Sequence, residues 1–485
     1  MKLALQKKTK IVATISDHKC DVEFLQNLYE TGMNVVRINT AHQTPSSSMK
    51  IVENVRKVST KIGLLVDTKG PEIRTTAMAG EAGFKVATGD TVKMMGDPNA
   101  LSHREALYVS YAGFVGDVPL GTSVLIDDGD LQLKVVDKKP DFLLCEAQNS
   151  GTIKGRKTVN VPGAAIHLPS LSSRDVEYIT WAVDNNIDFI AHSFVRTKDD
   201  VLAVQKLLNE RKSRIKIIAK IENRQGVENI DEILNCSYGI MVARGDLGVE
   251  VEFEEIPGIQ KMLIEKCQAC GKPVIIATQM LHSMIEHPRP TRAEITDVAN
   301  AIYQRTDAIM LSGETAGGAY PVEAVRAMSK IAIAVEKDLQ PYERQPNVGI
   351  QDKVAIVLSK SAVQASRELP IRALVTDTYS GHVPRYLAAF RGKIPVFALC
   401  YRDSLTRELS LSYGVYCYPA TPIKNNDEFL RYAMRFLRDQ GCINSSDMVA
   451  VMAGNCHSKG ATTYLEIGVV QNLISELNQE AYYAL

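Results

Sequence analysis

The chain has 485 residues, of which 45% are hydrophobic and 23% charged, with 56 Lys+Arg balancing 56 Asp+Glu. That length suggests about three domains, and the zero net charge speaks against a nucleic-acid or membrane-surface binder, which usually carries a basic excess. No apolar run approaches the ~20 residues of a membrane helix, and the first eight residues lack the apolar core of a signal peptide.

From the N-terminus, short β-branched runs alternate with longer amphipathic stretches. The runs are Lys10–Ile15, Asn34–Asn39, Gly63–Asp67, Phe189–Phe194, Ile215–Ile221, Gly239–Ala243, Pro273–Thr278 and Ala308–Leu311. Continuous Val, Ile, Ala and Leu without polar alternation marks strands buried on both faces. Helix-like segments such as Ser173–Asn185 and Pro257–Cys270 lie between them. Repeated βα units with about eight strands predict a closed parallel (β/α)8 barrel of the TIM type, with an open doubly wound sheet as the alternative.

Between Pro71 and about Ile166 the rhythm breaks into short alternating runs: Thr91–Met95, Leu107–Tyr111, Ser123–Asp127, Leu131–Val136, Phe142–Gln148 and Thr158–Val161. Asp128-Gly129 between two of them is a hairpin signal. The expected organisation is a barrel begun over 1–70, an all-β insertion over 71–166, the rest of the barrel over 167–340, and an α/β domain over 341–485. Gln340–Asn347 reads as a linker, followed by runs at Ala355–Leu358, Ala373–Thr376, Pro395–Leu399, Gly414–Tyr416 and Met448–Met452. The nine cysteines are scattered and odd in number. The Cys267/Cys270 pair has no partner pair at zinc spacing and reads as buried thiols at a helix end, so the chain is expected to be reduced and cytoplasmic.

A barrel places its chemistry at the C-terminal ends of its strands. Six of these runs end in polar residues: Arg37-Ile38-Asn39, Asp67-Thr68-Lys69, Lys220-Ile221-Glu222-Asn223, Arg244-Gly245-Asp246, Thr278-Gln279 and Ser312-Gly313-Glu314-Thr315. Residues two apart on a strand share a side, so Lys220 and Glu222 point together, as do Arg37 and Asn39. Glu222 and Asp246 suit a hard divalent cation, since Mg²⁺ takes one or two carboxylates and completes its octahedron with water and substrate oxygens. Arg37, Lys220 and Arg74 would surround an anionic phosphorylated substrate. The bland reading is a set of rim salt bridges. Thr291-Arg292-Ala293-Glu294 reads first as a helix capping box.

Lys10–Ile15, Asp67-Thr68-Lys69-Gly70-Pro71-Glu72-Ile73-Arg74, Ile218–Asn223, Ala243–Gly248, Ala277–Leu281, Pro288–Glu294 and Met310–Ala316 together resemble pyruvate kinases, in the family's order, from about residue 8 to 340. The resemblance implies that phosphoenolpyruvate and ADP give pyruvate and ATP, the last step of glycolysis. It implies that Arg37 holds the transferred phosphate, that Lys220 neutralises that group and the enolate, and that Glu222 and Asp246 ligate Mg²⁺ or Mn²⁺. Gly245, Asp246 and Thr278 would contact the carboxylate, and Thr278, with Ser312 and Glu314, would serve the protonation of the enol carbon. Asn39, His42, Arg74 and Lys157 match nucleotide-contact positions, and the β insertion would be a closing lid hinged at Gly70-Pro71 and near 162–169. It implies K⁺ bound by Asn39, Asp67 and Thr68, and a homotetramer.

The sequence departs from that pattern in two places. Ala41 stands where a Ser ligand to K⁺ is expected, although Glu72 is the residue usual in K⁺-requiring members. In Thr376–His382, similar to a sugar-phosphate effector loop, Tyr379 replaces a frequent Lys and Val383 a Ser or Thr. The bland reading there is a strand-to-helix turn capped by Ser380-Gly381. A Mg²⁺-dependent lyase or aldolase on the same barrel, and a non-catalytic phosphometabolite sensor, are the competing functions.

Overall fold

The computed structural model describes residues 7–80, 83–340, 353–423, 425–454 and 462–474. Three strands come first: β1 (Lys10–Thr14), β2 (Val35–Asn39) and β3 (Gly63–Asp67). Nine more strands follow: β4 (Ile73–Arg74), β5 (Phe84–Val86), β6 (Thr91–Gly96), β7 (Leu107–Val109), β8 (Ser123–Ile126), β9 (Leu131–Lys138), β10 (Leu143–Ala147), β11 (Gly151–Ile153) and β12 (Thr158–Asn160). The parallel pattern then resumes with β13 (Phe189–His192), β14 (Lys216–Ile221), β15 (Gly239–Ala243), β16 (Val274–Ala277) and β17 (Ala308–Leu311).

β1–β3 and β13–β17 close into an eight-stranded barrel in the order β1-β17-β16-β15-β14-β13-β3-β2. Closure rules out the open sheet. The continuous apolar runs are explained by two cores. Val12, Leu65, Phe189, Ile218, Met241 and Met310 fill the barrel, while alternate residues such as Ile11, Val66, Ile190 and Ile240 pack under the helices. Each strand therefore buries both faces.

β4 and β6–β10 with β12 form one seven-stranded sheet, and β5 pairs with β11. This sheet has its own core, including Val92, Leu107, Phe114 and Leu133. β8 and β9 form the expected antiparallel hairpin, whose turn places Asp127, Asp128 and Gly129 at φ 59°, 55° and 94°. Asp and Gly tolerate that left-handed region better than other residues.

The last sheet comprises β18 (Ile371–Thr378), β19 (Val396–Cys400), β20 (Val415–Pro419), β21 (Met448–Gly454) and β22 (Thr462–Val469), in the order β20-β19-β18-β21-β22. Two expectations are corrected here. Ala355–Leu358 is not a strand but lies in the helix Lys353–Glu368, which buries Ala355, Ser359, Ala362 and Val363 at helical spacing. β22, antiparallel to β21, was not anticipated, because as an edge strand it is half-buried and lacks alternation. Of the linker read over 340–347, all but Gln340 lies outside the described residues. The sheet's neighbourhood meets the barrel through a buried pair, Arg391 Nη1 and Nη2 on Asp307 Oδ1 and Oδ2 at 2.8 and 2.6 Å.

Candidate active site

The C-terminal tips of adjacent barrel strands carry a continuous chain of charge. Arg37, in the middle of β2, donates from Nε to Asp67 Oδ2 at 2.6 Å and from Nη1 to Thr14 Oγ1 at 2.9 Å. The other Asp67 oxygen lies 3.1 Å from Lys220 Nζ, which also touches Glu222 Oε1 at 2.8 Å and donates to Ser193 Oγ at 2.8 Å. Glu222 Oε2 accepts the Phe194 amide at 2.7 Å. Residues in or just past five strands, β1, β2, β3, β13 and β14, are thus linked in one chain of contacts.

Burial raises the stakes of each charge. Burial alone would lower the Lys220 pKa, but Asp67, Glu222 and Asp246 overcome it and hold the ammonium above its ordinary value. Burial would raise Asp67, yet Arg37 and Lys220 outweigh it and keep that carboxyl low. Glu222 goes the other way: burial, reinforced by the charge of Asp246, pushes it up to about 8 although Lys220 pulls it down. Its Oε1 is buried, and its contact with the ammonium is not a well-directed hydrogen bond. Glu222, whose charge is disfavoured by burial and by the nearby Asp246, has the oxygen chemistry that a hard cation would favour. Among the described residues no group of three or more His, Cys, Asp or Glu side chains is placed to hold a metal, so any ion held by Glu222 and Asp246 would take its remaining ligands from water and substrate.

Thr278 ends β16 in a strained conformation. It and Gln279 adopt φ of 69° and 54°, a region a β-branched residue enters only when its surroundings enforce it. The enforcement is visible: Arg244 donates to Thr278 O at 2.9 Å while its guanidinium grips Asp297 at 2.7 Å from both Nη atoms. The Gly245 amide donates to Thr278 Oγ1 at 2.8 Å, so the helix Arg244–Glu250, with Asp246 in its first turn, is tied to the threonine. Ser312 and Glu314 stand at the β17 tip. Glu314 is buried, and its oxygens accept the Leu281 and Ser312 amides at 3.1 and 2.7 Å, joining that tip to the loop after Thr278.

Among the residues expected to hold K⁺, Asn39 pairs in register with Asp67, and its Oδ1 accepts the Ala41 amide at 3.1 Å. Thr68 Oγ1 donates to Ala191 O at 3.3 Å and accepts the Ser193 amide at 3.0 Å. His42 lies in the same loop, which Arg174 pins through Thr40 O and Gln43 O at 2.6 and 2.7 Å. Arg74 and Lys157 are on the β insertion, held there by local carboxylates: Arg74 by Glu72 at 2.8 and 2.9 Å, Lys157 by Asp127 at 2.7 Å. Neither makes a polar contact with Lys220 or Glu222. A cavity of about 530 Å³ lies between insertion and barrel, lined by Glu72, Asp128 and Asn160 from the one and by Phe194, Asn223 and Asp246 from the other; of the expected site residues only Asp246 lines it.

Elsewhere, Thr291 and Glu294 form the expected capping box, and Glu294 further accepts the Ser283 amide at 2.7 Å. Cys267 is buried and Cys270 half-buried, both free. In the Thr376–His382 loop, the Gly381 amide donates to Thr378 Oγ1, and Tyr379 packs on Tyr401 with ring centroids 4.4 Å apart. Sequence reasoning missed Thr14, Ser193 and Phe194, and placed Arg244 at a strand end without a role. Thr14 and Ser193 stand at or just past the tips of β1 and β13, so the strand-end rule reaches them too. Their neutral side chains gave no charge signal.

Comparison with known proteins agrees with this geometry. Residues 6–325 match the family model described as pyruvate kinase, barrel domain, and residues 357–467 match pyruvate kinase, alpha/beta domain. The chain is 45% identical over 480 residues to a pyruvate kinase of Borreliella burgdorferi, covering 98% of this chain and 100% of that one. It is 42% identical to one from Bacillus licheniformis, over 97% of this chain and 82% of the relative. A crystal structure of a pyruvate kinase from Cryptosporidium parvum superposes with a TM-score of 0.90 at 36% identity, covering 96% and 97% of the two chains. With most of its length matched by the family's barrel model and near-full-length relatives far above 30% identity, the chain belongs to the pyruvate kinase family.

Proposed function

We propose that the chain's pyruvate kinase reaction, phosphoryl transfer from phosphoenolpyruvate to ADP, is carried by the rim residues Arg37, Lys220, Glu222, Asp246 and Thr278. The observation that supports this most is the buried Arg37–Asp67–Lys220–Glu222 chain. Asp67 spaces two cations, one for the moving phosphoryl oxygens and one for the oxygen left on the enolate. Fixed cations beside oxygens that gain charge lower the barrier without reorganising during the reaction. Ser193 orients the Lys220 ammonium, and the Phe194 amide orients Glu222. Gly245 and Thr278 face the carboxylate end. Thr278 stands near the enol carbon, with Glu314 setting the Ser312 loop beside it.

Members of the family require a divalent cation and usually K⁺. Glu222 and Asp246 would hold Mg²⁺ or Mn²⁺, and the ion when bound supplies a further positive charge to substrate oxygens. Asn39, Asp67 and Thr68 would hold K⁺, with water in the place left by the Ala41 methyl. Asn39, His42, Arg74 and Lys157 would take the nucleotide. A lid over 71–166 would bring Arg74 and Lys157 down and keep water from the phosphoryl group. The division into barrel (1–70 and 167–340), lid (71–166) and C-terminal domain (341–485) is supported by their separate sheets. A cytoplasmic site of action is consistent with eight free cysteines among the described residues, none of whose helices is long and apolar enough to cross a membrane.

The test is pyruvate release from phosphoenolpyruvate. The account predicts strict dependence on ADP and Mg²⁺, a loss of about 10³-fold or more in Lys220→Met with the circular-dichroism spectrum retained, and reduced activity when tetramethylammonium replaces K⁺. Pyruvate released without ADP would favour a lyase, and phosphoenolpyruvate binding without turnover would favour a sensor.

A further inference from the structure

The β insertion joins the barrel by two crossings, 68–72 outward and 161–172 on return. Both are anchored to barrel side chains. Outward, the Gly70 amide donates to Asp175 Oδ1 at 3.2 Å. An added Cβ there would lie 2.8 Å from Phe194 Cδ2 and from Ser193 Cβ, so this crossing lies hard against the loop after β13. On return, Arg196 donates from Nη1 to Ile166 O at 3.1 Å and from Nη2 to Leu168 O at 2.9 Å. Ser170 Oγ donates to Asp200 Oδ1 at 2.6 Å. Asp200 holds Arg196 in turn, accepting from its amide at 2.8 Å, Nε at 3.2 Å and Nη2 at 2.9 Å.

Part of this has an ordinary explanation. Asp175 and Asp200 each complete a capping box for the helix they begin. Capping uses Asp175 Oδ2 and leaves Oδ1 to reach across to Gly70. Nor does a cap require the Arg196 guanidinium to seize two carbonyls of the return crossing. The loop that carries Arg196 also carries Ser193 and Phe194, which orient Lys220 and Glu222. One short loop therefore holds the reactive groups at one end and the lid's return at the other.

We infer that Arg196, Asp200 and Asp175 are positioning residues for phosphoryl transfer, forming the bearing on which the lid turns over the rim. This rests on the reading that the lid delivers Arg74 and Lys157 to the nucleotide. Arg196 lines the cavity between insertion and barrel, but its guanidinium is taken up by Asp200 and the two carbonyls, and none of the three side chains makes a polar contact with Lys220 or Glu222. They fix the two pivots relative to Lys220 and Glu222, and a pivot error of an ångström at the transferred group costs about 10²-fold.

Two reactions separate this role from mere support of the fold. Phosphoryl transfer needs the lid. Exchange of pyruvate methyl protons with D₂O, followed by NMR with Mg²⁺ and inorganic phosphate present, needs only the rim. For Arg196→Met we expect kcat to fall and KM for ADP to rise, each about tenfold, with KM for phosphoenolpyruvate and the exchange rate within about twofold of wild type. Arg196→Lys should not restore transfer, since one ammonium cannot span both carbonyls and Asp200. If Arg196→Met does not fold, Ser170→Ala removes a single anchor and should show the same split at about threefold. A parallel fall in both reactions, or no change in transfer, would overturn the inference. Absence of both reactions in the wild-type chain would overturn the underlying site reading instead.

Discussion

His192 sits at the end of β13, one residue before Ser193, fully buried, with neither ring nitrogen hydrogen-bonded within the protein. Burial pulls its pKa down from 6.5 to about 4, against the opposing charges of Asp200 and Asp175 and alongside Lys220 and Arg196. The imidazole is therefore neutral when folded, and the unfolded chain binds the proton first. Stability from this residue is complete above about pH 6.5 and is lost as pH falls toward 4, up to roughly 3 kcal/mol in all. The wild-type Tm should fall more steeply between pH 6.5 and 5 than that of His192→Ala; equal slopes would show that the ring titrates normally. At this scale the sequence was informative where charge was involved. Arg37, Lys220 and Glu222 were readable as strand-tip residues. The left-handed backbone of Thr278 was not, because its cause is Arg244 and Asp297 acting from elsewhere in the fold.

Among the elements, the crossing at Gly70 is tightly constrained. Its φ of 71° suits glycine, and its Cα faces Phe194 and Ser193 with no room for a methyl. Gly70→Ala should cost roughly 1–3 kcal/mol and displace the loop that orients Lys220, lowering turnover as well as Tm. Unchanged turnover and Tm would show that the loop relaxes freely. The barrel strands were legible because burial on both faces leaves a continuous apolar run. The same signal misled at Ala355–Leu358, since a short apolar run does not distinguish strand from buried helix. β22 escaped notice for the opposite reason: an edge strand with little burial writes no pattern.

Across the whole molecule, barrel and C-terminal sheet are bolted together by charge that no local pattern reveals. Arg391 and Asp307 are 84 residues apart and nearly inaccessible, and Asp307 also accepts the Tyr413 amide at 3.2 Å. Removing one partner of such a pair strands the other, so Arg391→Ala should cost about 3–5 kcal/mol and lower the calorimetric Tm. A shift under a degree would mean that the interface is held by its apolar contacts alone.

The central claim is that Glu222 and Asp246, from neighbouring strand tips, share one divalent cation beside Lys220. Electron paramagnetic resonance titration with Mn²⁺ reads this directly, without turnover. The account predicts one tight site in the wild-type chain, weakened about tenfold or more in both Glu222→Gln and Asp246→Asn. Mn²⁺ affinity unchanged in either variant would contradict it.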